Sequence, residues 1–600
     1  MLHLSDDSAD MKNDMIQRGI SALKFYLGTD NASALLKPAE LRADELAAFY
    51  FPLPIDYTGL ERRLRISFPN EFPSESLGLQ VEPSPWLVWP HAMKSGFCLH
   101  GFREKPVTGS PERIVQDSLS RFANIVSFSL ENADPAQRET EFQNEISTYW
   151  LWQLKRSARN LILLGEPESG SVLYVVSDPR YTGHTGLNPV WVSSDKNSIR
   201  QHFKRATGRS VVIRSPHEAG FFVKLTSFPS IKVPEPHAFL EWLAPNISEE
   251  SLAAISEWLE KSGDLLSRWV VMELPGGDGA TRFTVNLCTR KKETDRTPFY
   301  GLRSSRRQPK AKKEGPPASI LSSRVNVIDR EEFFSRDRSN TAKTLEKSHV
   351  VFVGVGSLGS AVSIQLARAG LGKLTLIDPD RLESPNLGRH MLGAEDLGKF
   401  KSQAMRHRLL QDLPVLDVTA QDTYIEWVMG QKHDIFEDVD LIIITTADWK
   451  SESALWEKKA SGAKWGLIQA WSEPHTLVGH ALIAPEGSFD ARYLFSDRGD
   501  FRHRFTEWPD GGVVPLPACG ESFIPGGSAG MNSVATMVTQ ATIRYLMSTT
   551  NVGGGTQWHS SVYRPDEAGV LGGRYSGPVL PEGVVQCVFE RNWPKPGQNA

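Results

Sequence analysis

The stretch His349–Asp378, HVVFVGVGSLGSAVSIQLARAGLGKLTLID, decides how the rest of the chain is read. A run of buried-strand residues, Val350, Val351, Phe352 and Val353, turns through Gly354, Gly356 and Gly359. A helix pattern follows, and a second strand ends on Asp378, nineteen positions after Gly359. In a G-x-G-x-x-G turn between strand and helix, the first glycine permits the tight turn and the second lets backbone reach phosphate oxygens. The third allows close helix–strand packing. The amides at the helix start favour anions, and an acid closing the next strand accepts ribose hydroxyls. The stretch therefore predicts a doubly wound nucleotide-binding fold with Gly354, Gly356, Gly359 and Asp378 at its site.

Which nucleotide depends on the residues beyond. The chain continues PDRLESPNLGRHMLGAEDLGKFKSQA and later LIIITTADWKSES. A glycine loop, then D-x-D, N-L-x-R, a lysine and an aspartate after a strand resemble the adenylation domain of the ubiquitin-activating superfamily. That superfamily includes the bacterial ThiF/MoeB-type enzymes that adenylate sulfur carriers. The matching positions are Asp378, Asp380, Asn386, Arg389, Lys401 and Asp448, over roughly residues 325–545. The resemblance implies ATP as the nucleotide, with Asp448 holding Mg²⁺. It also implies a phosphate-binding arginine from before the first strand. Arg330 and Arg336 are candidates and Arg338 stays open; Arg336 is the position carried forward.

Working outward, 600 residues exceed what one core serves, so several domains are expected. Forty per cent apolar residues, 23% charged residues and a net charge of −4 describe a globular protein with no global attraction to nucleic acid. No apolar run reaches spanning length and MLHLSDDSAD is not a signal peptide, so a cytoplasmic protein without membrane contact is expected. The four cysteines, Cys98, Cys288, Cys519 and Cys587, form no C-x-x-C pair, which excludes a Cys-four zinc site. Many sulfur-carrier-activating relatives carry one.

Upstream, residues 11–28 carry Ile16, Ile20, Leu23 and Leu27 on one helical face. In ERRLRISFP, Leu64, Ile66 and Phe68 alternate with Arg63, Arg65 and Ser67, a half-buried strand. Then come FPNEFPSESLGLQVEPSPW and WPHAMKSGFCLHG, ending at Cys98. This order resembles a ubiquitin-conjugating domain with Cys98 as its acyl-bearing thiol. Pro90-His91-Ala92 stands where that family has His-Pro-Asn, so the asparagine that supports lysine attack is missing. His91 reads as a fold-supporting hydrogen-bonder. Residues 135–158 read as one long closing helix capped by Asp134.

Residues 159–289 are a mixed α/β region without a chemical motif. The stretch Arg290 to Lys313 holds ten Lys/Arg against two acids and reads, to residue 324, as a basic flexible linker. Past Asp448, Cys519 in PACGESFIP precedes a helix starting near Ser528. It resembles the crossover-loop cysteine of thioester-forming activating enzymes. The expected architecture is a conjugating-like α+β domain (1–158), a middle α/β domain (159–289), the linker (290–324) and a Rossmann-like adenylation domain (325–600).

Together the resemblances imply activation of a protein's C-terminal carboxylate, acyl relay from Cys519 to Cys98, and transfer to an amine, most plausibly lysine. Two activating domains are expected to pair as a homodimer. Domain order resembles the bacterial fusions of cyclic-oligonucleotide anti-phage (CBASS) systems, which implies that the activated partner is a cGAS-like nucleotidyltransferase. A ubiquitin-like or sulfur-carrier pathway and a non-catalytic ATP-binding scaffold are the alternatives.

Overall fold

The computed structural model describes residues 4–28, 34–100, 107, 109–176, 189–207, 210–211, 213, 217–263, 265–276, 281–289, 318–337, 339–431, 435–516, 522–548 and 555–594. The chain divides into two compact units. One comprises Met1–Leu161, Pro167–Ser194 and Arg214–Asn326; the other comprises Ile162–Glu166, Asp195–Ile213 and Val327–Ala600.

The first unit opens with helix Leu4–Leu27 against a four-stranded antiparallel meander: Lys37–Pro38, Glu45–Pro52, Arg63–Pro69 and Gly78–Glu82. Leu23, Leu64, Ile66 and Phe68 enter one core with Trp89, Phe97 and the inner face of helix Pro111–Ser127. Arg65 departs from the simple alternation. It is buried, and its guanidinium pairs with Glu45, which keeps a charge tolerable at that depth.

The expected long helix is two helices, Pro135–Asn144 and Ile146–Gln153. Asp134 caps the first as expected, its side chain accepting the Ala136 amide. The break falls at Glu145, whose φ of −120° and ψ of 13° are not helical. Two directions of packing then become possible. Tyr149 turns toward Trp86 and Phe142, whereas Trp150, wholly buried, lies 5.1 Å from the Phe283 ring and 5.4 Å from that of Trp242. The conjugating-like and middle regions, read from sequence as separate domains, thus share one compact unit through this helix.

Seven consecutive strands of the middle sheet run Val190–Ser193, Ser171–Val176, Glu218–Lys224, Ser267–Glu273, Arg282–Cys288, Ser319–Ser323, Lys155–Arg156 in spatial order. Strand Ser319–Ser323 lies inside the segment read as linker, because Leu321 and Ile320 pair in register with Asn286 and Leu287. Helix Glu249–Lys261 covers one face, burying Ile255 and Trp258 with Val270 and Met272.

The second unit holds an eight-stranded sheet in the order Asp417–Gln421, Lys373–Ile377, His349–Val353, Leu441–Ile444, Gly466–Ser472, Val478–Ala484, Gln557–Tyr563, Gln586–Asn592. The first five strands are parallel and the last three antiparallel. His349–Val353 is buried at every position, as a central parallel strand covered on both faces must be. The chain order of the parallel strands reverses beside it, at the C-terminal edge where doubly wound folds bind ligands. No helix among the described residues is long and apolar enough to cross a membrane.

Candidate nucleotide site

The glycine loop has the geometry its motif requires. Gly354 has a φ of +90°, and a Cβ there would lie 2.9 Å from the Thr445 carbonyl carbon. A Cβ on Gly359 would lie 2.1 Å from the Gly354 oxygen, so only glycine lets helix Ser357–Arg368 approach. Gly356 differs: a Cβ there would meet nothing within 4 Å. Protein packing does not demand a glycine at that position, whereas close approach of a ligand to backbone does. Gly356 also caps the helix without a side-chain hydrogen bond, leaving amides directed outward.

A cavity of about 220 Å³ opens above this loop, lined among others by Gly354, Gly356, Asp378, Asp380, Lys401, Tyr424, Thr446, Asp448 and Ser451. Asp378 accepts the Val355 amide at 2.7 Å and the Asp380 amide at 2.9 Å, which ties loop and acid together. Burial nevertheless lifts its carboxyl above the ordinary value. Lys401 reaches Asp380 at 2.9 Å, and its own amide donates to the Asp380 carbonyl. The cavity therefore carries an internally neutralised lysine. Asp448 caps helix Trp449–Ala460, its Oδ2 accepting the Ser451 hydroxyl at 2.6 Å and the Ser451 amide at 3.2 Å. The oxygens of Asp448, Asp380, Thr446 and Ser451 are hard donors, and Mg²⁺ is bound through one or two carboxylates plus substrate phosphates. The donor set fits that ion.

Asn386 and Arg389 are not among the residues lining the cavity. Asn386 sits in the short turn Ser384–Asn386, its side-chain oxygen accepting the Glu383 amide at 3.0 Å. The Arg389 carbonyl accepts the Ser357 hydroxyl at the helix start. Of the upstream arginines, Arg330 is engaged by the carbonyls of Ala342 and Gly370 and by Glu346, Arg336 is exposed, and Arg338 lies outside the described residues.

Sequence reasoning missed two residues here. His390 is buried; its Nδ1 accepts the Leu392 amide, so Nε2 carries the proton and donates to the Val355 carbonyl at 2.7 Å. Burial lowers its pKa, and the neutral ring clamps the Asn386–Arg389 segment to the glycine loop. A histidine directly after N-L-x-R was the only available signal. Glu452 is one helical turn from Asp448, joined to Thr446 at 3.2 Å and to Gln469 at 2.8 Å. Burial, with the nearby Asp448 charge adding to it, pushes its carboxyl up to about 7.

In the first unit, Cys98 follows the hairpin Ala92–Met93/Gly96–Phe97, its amide donating to the His91 carbonyl at 2.9 Å. The half-buried thiol is pushed above its ordinary pKa by burial and then by the charge of Glu145. His91, with φ of 60°, is held between Glu141 at 3.0 Å and Glu145 at 3.2 Å, and its amide donates to the Tyr149 hydroxyl. The helix break places Glu145 there. Cys519 lies outside the described residues.

Comparison with known proteins bears on part of the second unit. Residues 329–462 match the ThiF family model, so the chain carries a ThiF-type domain. Among individual relatives, it is 29% identical over 210 residues to the ATP-dependent ubiquitin transferase-like protein Cap2 of Pseudomonas aeruginosa, covering 32% of this chain and 37% of that protein. It is 25% identical over 185 residues to the probable adenylyltransferase/sulfurtransferase MoeZ of Mycobacterium tuberculosis, covering 31% and 44%. Over 74 residues it is 40% identical to the sulfur carrier protein ThiS adenylyltransferase of Escherichia coli, covering 12% and 30%. The chain thus spans about two-fifths of the length of the curated relatives it first matches. Among solved structures, E. coli MccB with ATP is 18% identical, with a TM-score of 0.27 over 36% of this chain and 64% of that one.

Proposed function

We propose that the protein activates a protein's C-terminal carboxylate by adenylation and passes the acyl group on through its cysteines. The observation that carries this reading is the convergence of Gly356, Asp378, Asp380, Lys401 and Asp448 on one cavity. These residues bring open backbone amides, a ribose-facing acid, a cation and a metal-binding acid to one place. A substrate carboxylate is already a nucleophile, so the reaction needs positioning and charge neutralisation more than a base. Its oxygen bonds to the α-phosphorus of ATP, the bond to the bridging oxygen breaks, and pyrophosphate leaves. Lys401 exchanges Asp380 for phosphate, Asp378 holds the ribose, and Asp448 holds Mg²⁺, which supplies neutralising charge. Arg389 and Arg336 are proposed to reach the phosphates only after side-chain movement.

The acyl-adenylate is then attacked by the Cys519 thiol, releasing AMP, and the thioester passes to Cys98 and on to a lysine amine. The similarity to Cap2, an ATP-dependent ubiquitin transferase-like protein, supports the ATP-dependent activation step. The order of the domains along the chain is the ground for the relay, for a cGAS-like nucleotidyltransferase as the activated protein and for a CBASS setting. Similarity to the sulfur carrier protein ThiS adenylyltransferase supports a sulfur-carrier protein as the other partner class. A cytoplasmic homodimer completes the proposal, and light scattering at micromolar concentration should give about twice the monomer mass.

The decisive test is ATP–pyrophosphate exchange stimulated by a candidate partner's C-terminus, followed by mass spectrometry of Cys98→Ala and Cys519→Ala proteins. Cys519→Ala should keep exchange and carry nothing on Cys98. Cys98→Ala should stop at a reductant-sensitive adduct on Cys519. Exchange that no carboxylate partner stimulates overturns the reading.

A further inference from the structure

Arg268 stands at the start of strand Ser267–Glu273 with only 3% of its surface exposed. Its Nε and Nη2 are both buried and without a hydrogen-bond partner. A buried guanidinium normally lies against a carboxylate, because removing the charge from water is otherwise too costly. Glu273 pairs with Arg282 and Lys224, and Glu218 pairs with Arg159 through Oε1 while its Oε2 is itself buried without a partner. Strand alternation also turns them away: Glu218 is in register with Ser267, and Glu273 is five positions beyond Arg268, so both side chains leave from the opposite sheet face. Burial accordingly lowers the Arg268 pKa.

The unmet donors have a specific shape. Nε–H and Nη2–H lie on the same edge of the guanidinium plane and form the fork that binds two oxygens of one carboxylate or phosphate. Arg268 alternates with Val270 and Met272, which pack in one cluster with Trp258 from helix Glu249–Lys261. Ser262 is the C-cap of that helix, four residues after Trp258, and Trp258 Nε1 and Ser262 Oγ are likewise buried without partners. Buried polar groups are rarely left unmet in folded proteins, and here three side chains from two adjoining elements are.

We propose that Arg268, supported by Ser262 and Trp258, forms an oxyanion-binding site in the first unit that takes a carboxylate or phosphate group. The site goes beyond the adenylation reading and does not depend on it. The test is thermal unfolding of the full chain, titrated separately with sodium acetate and inorganic phosphate at constant ionic strength. Wild type, Arg268→Met and Arg268→Lys proteins are compared. Wild type is expected to gain stability with one anion, and apparent affinity to fall at least about tenfold in Arg268→Met as the fork is lost. Arg268→Lys falls between. The anion that separates wild type from Arg268→Met assigns the ligand as carboxylate or phosphate, and sites elsewhere cancel in that difference. A crystal soaked in selenate gives a readout on unmutated protein, with the anion's anomalous peak expected against Nε and Nη2. Identical anion responses in wild type and Arg268→Met, or only water at the fork in the soaked crystal, overturns the proposal.

Discussion

Two glycine substitutions three residues apart should damage different properties. In Gly359→Ala, the new Cβ lies 2.1 Å from the Gly354 oxygen, which also accepts the Thr445 hydroxyl at 2.8 Å. Overpacking at about 1–3 kcal/mol, plus loss of a hydrogen bond worth about 1 kcal/mol, predicts destabilisation of about 2–4 kcal/mol. At about 2–4 °C per kcal/mol, the melting temperature of the second unit should fall by roughly 4–16 °C. In Gly356→Ala, the Cβ meets no atom, and the only cost is a poorer helix cap, about 0.5–1 kcal/mol or a few degrees. That Cβ instead occupies the approach of the phosphates to the helix amides. Loss of one charge-assisted hydrogen bond there, about 1.5–3 kcal/mol, should weaken ATP roughly 10- to 100-fold. Calorimetric titration with ATP and thermal unfolding without nucleotide read the two effects separately. Wild-type ATP affinity in a folded Gly356→Ala protein would refute the placement of the phosphates. Wild-type melting of Gly359→Ala would refute the packing argument.

Asp448→Asn preserves the cap on Ser451, so melting should stay within about 1 °C while pyrophosphate exchange drops about 100-fold, because an amide caps as well but binds Mg²⁺ poorly. Glu145→Gln removes the charge that raises the Cys98 thiol, so alkylation by iodoacetamide at pH 7.5 should speed up about 2- to 5-fold, as mass spectrometry would record. An unchanged rate would remove Glu145 from the electrostatics of Cys98. Glu452 has a folded pKa of about 7, above its ordinary 4.5. Its favourable contribution is full below pH 4.5 and is lost as the pH rises through 7. Between pH 5 and 7.5 wild type should therefore lose about 1–3 kcal/mol relative to Glu452→Gln in urea unfolding, and parallel curves would contradict a buried, protonated Glu452.

Motif reading worked where local chemistry is self-contained. Lys401 and Asp448 come only from the resemblance to the ubiquitin-activating superfamily, whereas the strand, the three-glycine turn and Asp378 announce themselves because each demand falls on a residue within thirty positions. Asp134 was legible as a cap for the same reason. Long-range choices were not. The break at Glu145 answers to His91 and to the diverging packing of Tyr149 and Trp150, none of which periodicity records. Strand Ser319–Ser323 hides behind a basic, proline-flanked stretch, since its partner lies more than thirty residues earlier. Arg65 and Arg268 look like solvent-facing members of alternating strands, and only the three-dimensional surroundings reveal one paired and one unpaired buried charge.

The imidazole of His390 makes the glycine loop and the segment after the second strand a single mechanical part. With Nε2 donating to Val355 and Nδ1 accepting from Leu392, the ring has no spare valence to absorb motion between them. For protein engineering, the transplantable unit is therefore larger than the six-residue fingerprint. A glycine turn moved alone into another doubly wound scaffold would leave the Val355 carbonyl without its donor, whereas moving residues 349–392 carries the clasp along with what it clasps.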